Sequence, residues 1–354
     1  MTWITQLYNV NQLTPGMELG QPVLNQKGTV LLAEGTILNK AQLDHLARLG
    51  VEAVSIKEAQ DPEINEITLD PKNLERLNQA VEQIKSSFHT IEKYGKVPMQ
   101  IFENIASNHI SPIVNSHSAA NYLNIDRPKS DYLYNHSINV GLLSGLIGKW
   151  LGSSEAEISE LILTGLLHDI GKTQIPQEII NKSGKLTPKE MELVKLHATY
   201  SYRLLNDLPN IPPTVKFGIL QHHERLDGSG YPGRFSGDKI HRFARIVAIA
   251  DIYCAMTADR EHSAKANPFA AAEELAKDMY TKLDTEICTT FLTNFCIFII
   301  GNKLQLDDDR EVEIVYTGHF LNLHPLVRTA EGEILTITNW RSIRKMTPFN
   351  VKFT

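Results

Sequence analysis

A chain of 354 residues is long enough for two or three domains with a sizeable core, and 42% hydrophobic with 21% charged residues describes an ordinary globular protein, not a disordered or fibrous one. A formal net charge of −6 argues against a nucleic acid polymer as partner. No charged-then-apolar leader opens the chain, and no apolar run approaches the ~18 residues of a membrane helix, so no membrane association is expected. Cys254, Cys288 and Cys296 form no CxxC pattern. They indicate neither a thiolate zinc site nor a disulfide framework and read as reduced core thiols of a cytoplasmic protein.

Residues 1–58 read as a small α/β module. Leu13-Thr14-Pro15-Gly16-Met17 is turn chemistry, and Gly28-Thr29-Val30-Leu31-Leu32 is a short buried strand after a glycine turn. Leu43, Leu46 and Leu49 give 38–49 helical spacing, with Gly50 as its C-cap, and 51–56 closes the unit as a strand. The acidic, irregular stretch 61–70 is a linker. Beyond Pro71, Leu74, Leu77, Val81, Ile84, Phe88 and Ile91 recur in steps of three and four. They form one face of a helix packed within the chain or, alternatively, the seam of a homodimer through 74–91. This helical linker spans 59–119. His89, His109 and His117 have no partner spacing.

From 101 to 122 the helical pattern continues, and 138–151 is an apolar helix ended by Gly152. Ser153-Ser154-Glu155 supplies a cap and first-turn acid for the next helix. That helix carries Leu161, Ile162, Leu163, Leu166 and Leu167 straight into His168, Asp169 and Lys172, which on a helix would share one sector. Thr187-Pro188-Lys189-Glu190 is a capping box with proline at the first helical position, launching a helix that bears His197. An apolar helix at 214–221 runs into His222-His223-Glu224, followed by a glycine-rich loop at 225–237. The helix 243–258 is interrupted by Asp251, another helix follows Pro268, and the apolar 291–300 is a buried core helix. From Asp307 the pattern changes to strands at 312–316, 325–328 and 334–338, so 301–354 is a small β module without a site, its His319 and His324 solvated.

An imidazole, a carboxylate and an ammonium buried together cost several kcal/mol unless something pairs them. The bland reading of His168-Asp169 is a helix end with Gly171 as cap. Against it stand His136, His197, His222, His223 and Asp251, all set in or at the ends of apolar helices. Imidazole and carboxylate without thiolate suit iron, manganese or another borderline divalent ion. So many ligands imply two ions, and a two-metal centre lowers the pKa of water and clamps the oxygens of an in-line displacement, which is phosphoester hydrolysis.

His168-Asp169-Ile170-Gly171-Lys172, His222-His223-Glu224-Arg225-Leu226-Asp227-Gly228-Ser229-Gly230-Tyr231-Pro232 and the upstream His136 resemble the HD-GYP family of the HD phosphohydrolase superfamily, over about residues 120–300. The resemblance implies a mainly α chain built on a helical HD-domain bundle. It also implies hydrolysis of the bacterial messenger cyclic di-GMP to pGpG or GMP, with His136, His168, Asp169 and Asp251 in the metal set of the wider superfamily. His197, His222 and His223 match the second-metal ligands, and Asp169 the bridging carboxylate. Lys172 matches the lysine that meets the substrate phosphate or leaving oxygen. Gly230, Tyr231 and Pro232 match the loop that shapes the substrate side, and Arg260 an arginine on a substrate phosphate. The N-terminal unit and the C-terminal β segment resemble modules fused to such domains.

Several positions depart from that pattern. Tyr132 stands where three-metal members place a glutamate, so two metals are expected. Ser201 and Arg234 replace glycines, and Tyr253-Cys254-Ala255 replaces Tyr-Asp-Ala. Arg260-Glu261-His262-Ser263 lacks a basic group, which weakens anion binding by ~1–3 kcal/mol unless Lys265 compensates. Metal binding thus reads as intact and the substrate clamp as eroded. The alternative to an enzyme is a catalytically weak or inactive sensor or adaptor that binds metal and nucleotide; a further alternative is a phosphodiesterase for another cyclic nucleotide.

Overall fold

The computed structural model describes residues 3–10, 13–24, 30–49, 51, 53–59, 69–125, 128–258, 267–318, 320, 324–339 and 342–347. Gly28, Thr29, Gly50, Glu261, His262, Ser263, Lys265, His319 and most of the expected linker 61–70 lie outside them. The chain divides into two compact units, Met1–Glu66 and Ile67–Thr354.

In the first unit the strand Trp3–Asn9 pairs antiparallel with Ala53–Ala59, and Val23–Leu24 pairs with Val30–Leu32. The helix Lys40–Arg48 is opened by a capping box between Asn39 and Gln42. Leu19, Leu38, Leu46 and Ile56 form its buried core. The strand 3–9 carries no pattern that marks it in the sequence; its partner lies some fifty residues away.

The second unit is helical. Asp70 caps the Pro71–Tyr94 helix through the Lys72 N–H, and Gly95 ends it at φ 63°. Leu77, Val81, Ile84, Phe88 and Ile91 are buried in the unit's own core. Of the two expectations for this edge the intramolecular one is therefore observed; a homodimer seam through 74–91 would need apolar surface that the chain has already covered. The expected continuous helix 101–122 is broken into Met99–Asn104, a wide π-type turn at Ile105–Ile110, a short helix Ser111–Val114 and a 3₁₀ segment Ala119–Asn124. Pro112 explains the widening, because its ring would clash with the Asn108 carbonyl in an α-helix.

Next come the helices Tyr132–Trp150 and Glu155–Leu167, the latter opened by a Ser154–Glu157 capping box. They lie backbone against backbone. A Cβ on Gly165 would sit 2.6 Å from both Cα and N of Gly141. Pro188–Lys195 starts with the expected Thr187–Glu190 box, but the chain breaks at Leu196, so His197 opens a separate helix, His197–Asn206. The short Gln177–Ile180 together with Pro213–Gln221, Arg242–Thr257, Pro268–Asp278 and Thr285–Phe298 complete the α-helices among the described residues. The C-terminal strands form an antiparallel sheet in the order 334–336, 326–328, 311–316, 303–306, 343–347. Lys303–Leu306 and Ile343–Thr347 add to the three strands expected. The sheet shares one core with the helices, since Leu304, Ile314 and Val327 are buried in the same cluster as Phe291 and Phe295. Cys254, Cys288 and Cys296 are free and buried. Among the described residues no helix is long and apolar enough to cross a membrane.

Candidate metal centre

The helix Glu155–Leu167 ends at Leu167. His168 is its C-cap, and Ile170–Gln174 continues as 3₁₀. The polar trio therefore does not share one α-helix, a correction to the sequence reading. Lys172 still meets Asp169, at 2.5 Å between Nζ and Oδ2, because a 3₁₀ turn eclipses residues three apart. His136 comes from within Tyr132–Trp150, His197 from the start of its helix, His222 and His223 from the end of Pro213–Gln221, and Asp251 from the middle of Arg242–Thr257.

These seven residues converge. Among the described residues, His136, His168 and Asp251 form one group whose ligand atoms lie within 4.8 Å of one another, and His197, His222 and His223 form another. Asp169 stands between the groups. Its Oδ2 is 3.3 Å from His168 Nε2 and 3.7 Å from His136 Nε2, and its Oδ1 is 3.4 Å from His197 Nε2. His136 Nε2 also lies 3.0 Å from Asp251 Oδ1.

The main chain fixes the imidazole tautomers. Nδ1–H of His168 donates to Gly165 O at 2.7 Å, that of His197 to Val194 O at 2.7 Å and that of His222 to Ile219 O at 2.6 Å. In each case the acceptor is the carbonyl three residues back, so Nε2 is left as a bare lone pair aimed inward. His197 Nε2 then faces His222 Nε2 at 3.3 Å and His223 Nε2 at 3.1 Å. The lone pairs of His197 and His222 repel at that range unless a cation lies between them, whereas His223, whose tautomer no carbonyl fixes, can donate Nε2–H to His197 when no cation is there. His168 Nε2 and Asp169 Oδ1 are buried without a hydrogen-bond partner, a state that natural interiors rarely tolerate. The donor set fits a divalent metal.

Electrostatics agree. Burial pushes His222 down to about 3, and burial likewise lowers His197, His223 and His136. At neutral pH these rings are uncharged and ready to ligate. Burial would also lower His168, but the neighbouring negative charge of Asp169 outweighs it and raises the ring. Burial alone would raise both carboxyls. His168 and Lys172 instead hold Asp169 well below the usual carboxylate range, and His136 does the same for Asp251.

Tyr132 supplies no carboxylate; its ring stacks on His136 with centroids 5.6 Å apart. On the open side Tyr231 stacks on His223 at 4.6 Å, and Lys195 lies over the Tyr231 ring at 5.7 Å. Gly230 is pressed on the preceding segment, where a Cβ would come within 2.4 Å of His223 O. Pro232, joined to Tyr231 by a cis bond, is exposed. Arg260 lies outside the described residues.

Glu224 had only its place in the motif to mark it. It is buried, and its carboxylate accepts from the N–H groups of Gly233 at 2.6 Å and Phe235 at 3.0 Å, so it pins the glycine-rich loop. Glu224→Ala is expected to cost about 3 kcal/mol in urea denaturation and to open the 225–237 loop to limited proteolysis. A variant with wild-type stability and resistance would show that the loop is held by other contacts.

The model for the HD domain matches residues 100–287, just over half of the chain. The sequence is similar to a cyclic di-GMP phosphodiesterase of Pseudomonas aeruginosa, 34% identical over 184 residues that make up 52% of this chain and 44% of that protein. It is similar also to the 3'3'-cGAMP-specific phosphodiesterase 3 of Vibrio cholerae, 32% identical over 190 residues, 54% of this chain and 39% of that one. The chain thus spans less than half the length of these two curated relatives. Among solved structures, an HDG"Y"P protein from Bdellovibrio bacteriovorus superposes with a TM-score of 0.53 at 17% identity, covering 83% of this chain and 99% of that one. That likeness concerns the fold.

Proposed function

This chain belongs to the HD domain family, and we propose that within it the protein is a metal-dependent phosphodiesterase that hydrolyses cyclic di-GMP to pGpG or GMP. The observation that carries the reading is the pair of ligand groups joined by Asp169, the arrangement that a two-ion centre requires. His136, His168 and Asp251 are the proposed ligands of one ion, His197, His222 and His223 of the other, and Asp169 is the carboxylate common to both. Iron and manganese suit this mixture of imidazole and carboxylate. When bound, such ions supply Lewis acidity, which lowers the pKa of water and neutralises charge on a phosphoryl oxygen.

The chain's own residues do the rest. Burial would discharge Lys172, but Asp169 keeps its ammonium charged, and the side chain remains partly open to solvent. It is the proposed contact of the substrate phosphate and the stabiliser of charge on the leaving oxygen. Burial raises the Tyr231 hydroxyl, so this ring stays neutral and offers a flat face beside the centre. Gly230, Tyr231 and Pro232 line the proposed substrate side, and Arg260 is a further phosphate contact on sequence grounds alone. Three free buried thiols favour the reducing cytoplasm as its compartment. The apolar edge of 74–91 is spent inside the chain, so no homodimer through it is part of the proposal.

The likeness to a 3'3'-cGAMP-specific enzyme favours one second reading, a neighbouring cyclic dinucleotide as substrate. Protein loaded with Fe(II) or Mn(II) is to be assayed on cyclic di-GMP and 3'3'-cGAMP in parallel. Cleavage of cyclic di-GMP is the expected result. Cleavage of 3'3'-cGAMP alone would move the substrate assignment, and tight binding without turnover of either would replace the enzyme with a sensor or adaptor.

A further inference from the structure

Serine and threonine inside helices usually return their hydroxyl to the carbonyl four residues back. Ser87, Ser137, Thr164 and Thr257 all do so here. Ser201, fully buried in His197–Asn206, does not. Its hydroxyl donates to the His168 carbonyl at 2.8 Å and accepts from the Gly171 N–H, also at 2.8 Å. Both of those groups lie where an α-helix gives way to a 3₁₀ turn, and main-chain partners run out at such a junction. The two segments touch without a side chain between them. A Cβ on Gly171 would fall 2.1 Å from His197 O and 2.4 Å from Ser201 N.

We infer that Ser201 is a positioning residue of the metal centre: its hydroxyl staples the turn carrying His168 and Asp169 to the helix carrying His197, and so sets the spacing between the two ligand groups. Asp169 Oδ1 and His197 Nε2, 3.4 Å apart, lie on either side of that staple. The inference rests on the proposed ligand roles of His168, Asp169 and His197.

The test uses the full-length protein. Manganese affinity is measured by calorimetry on wild type, Ser201→Ala and Ser201→Thr, and Gly171 amide exchange is followed in all three without metal. The alanine variant is expected to bind manganese ~10–100-fold more weakly, as loss of a group supporting a ligand does. Its Gly171 amide should exchange at least ~10-fold faster once the acceptor is gone. The threonine variant, which keeps the hydroxyl, should restore both to within about three-fold of wild type. Wild-type affinity in a folded alanine variant overturns the inference, as does unchanged Gly171 exchange. If the alanine variant does not fold, loss of Gly171 protection in the threonine variant overturns it and retention supports it. A wild type that binds no manganese, iron or other divalent ion would instead defeat the ligand assignment itself.

Discussion

Asp169→Ala is expected to strip the protein of bound metal and to lower the proposed hydrolysis on the order of 1,000-fold. Asp169 is the group on which both ligand sets lean. One of its oxygens faces His136, His168 and Lys172, and the other faces His197. Without it the two proposed ligand sets lose the carboxylate they share, and the Lys172 ammonium loses the carboxylate that keeps it charged. Elemental analysis and turnover on wild type and variant, with circular dichroism as the check on folding, decide the matter. Full metal content and turnover in a folded Asp169→Ala protein would refute the mechanism.

Gly165→Ala should destabilise the protein by about 3 kcal/mol, at the upper end for overpacking. The added methyl meets main chain, not a side chain that can swing aside: Gly141 Cα and N at 2.6 Å and Val140 C at 2.8 Å. Those atoms belong to the helix that carries His136, and Gly165 lies three residues before His168, so the helices must part where two of the proposed ligands meet. Ser144→Ala provides the comparison. Its hydroxyl is buried without a partner, and its removal should be neutral or slightly stabilising. Chemical denaturation measures both, and a Gly165→Ala protein as stable as Ser144→Ala would mean that the crossing has slack.

Most of the site was legible in the sequence because helix ends are where polar residues interrupt apolar runs. His168-Asp169, His222-His223 and Asp251 each break a pattern that otherwise predicts burial, and the structure gathers them within a few ångströms. The helices with strong local signals, such as the Thr187–Glu190 box and the Ser153-Ser154-Glu155 cap, begin where expected. What escaped depends on partners far along the chain. Strand 3–9 is defined by 53–59, and 343–347 by 303–306, and such pairings leave little local trace. The break at Leu196 and the broken stretch 99–124 also went unread, since a helical spacing of apolar residues survives a local change of winding. Ser201 was visible only as a departure, and Glu224 only as a motif letter. Their roles lie in the backbone groups of other segments that they satisfy.

Three of the imidazoles owe their aim to the carbonyl one turn earlier in their own chain segment, which gives the centre an uneven tolerance to genetic change. Replacing a flanking side chain leaves those carbonyls in place, and the rings keep their orientation. Adding or removing one residue between Glu155 and Leu167 does not, because each residue advances an α-helix by about 100°, and His168 would be carried round to another side of its helix. The aim of the rings is thus insensitive to most flanking side chains and vulnerable to a shift in length, so lineages of this chain should hold the residue count of these helices even where their exposed positions vary.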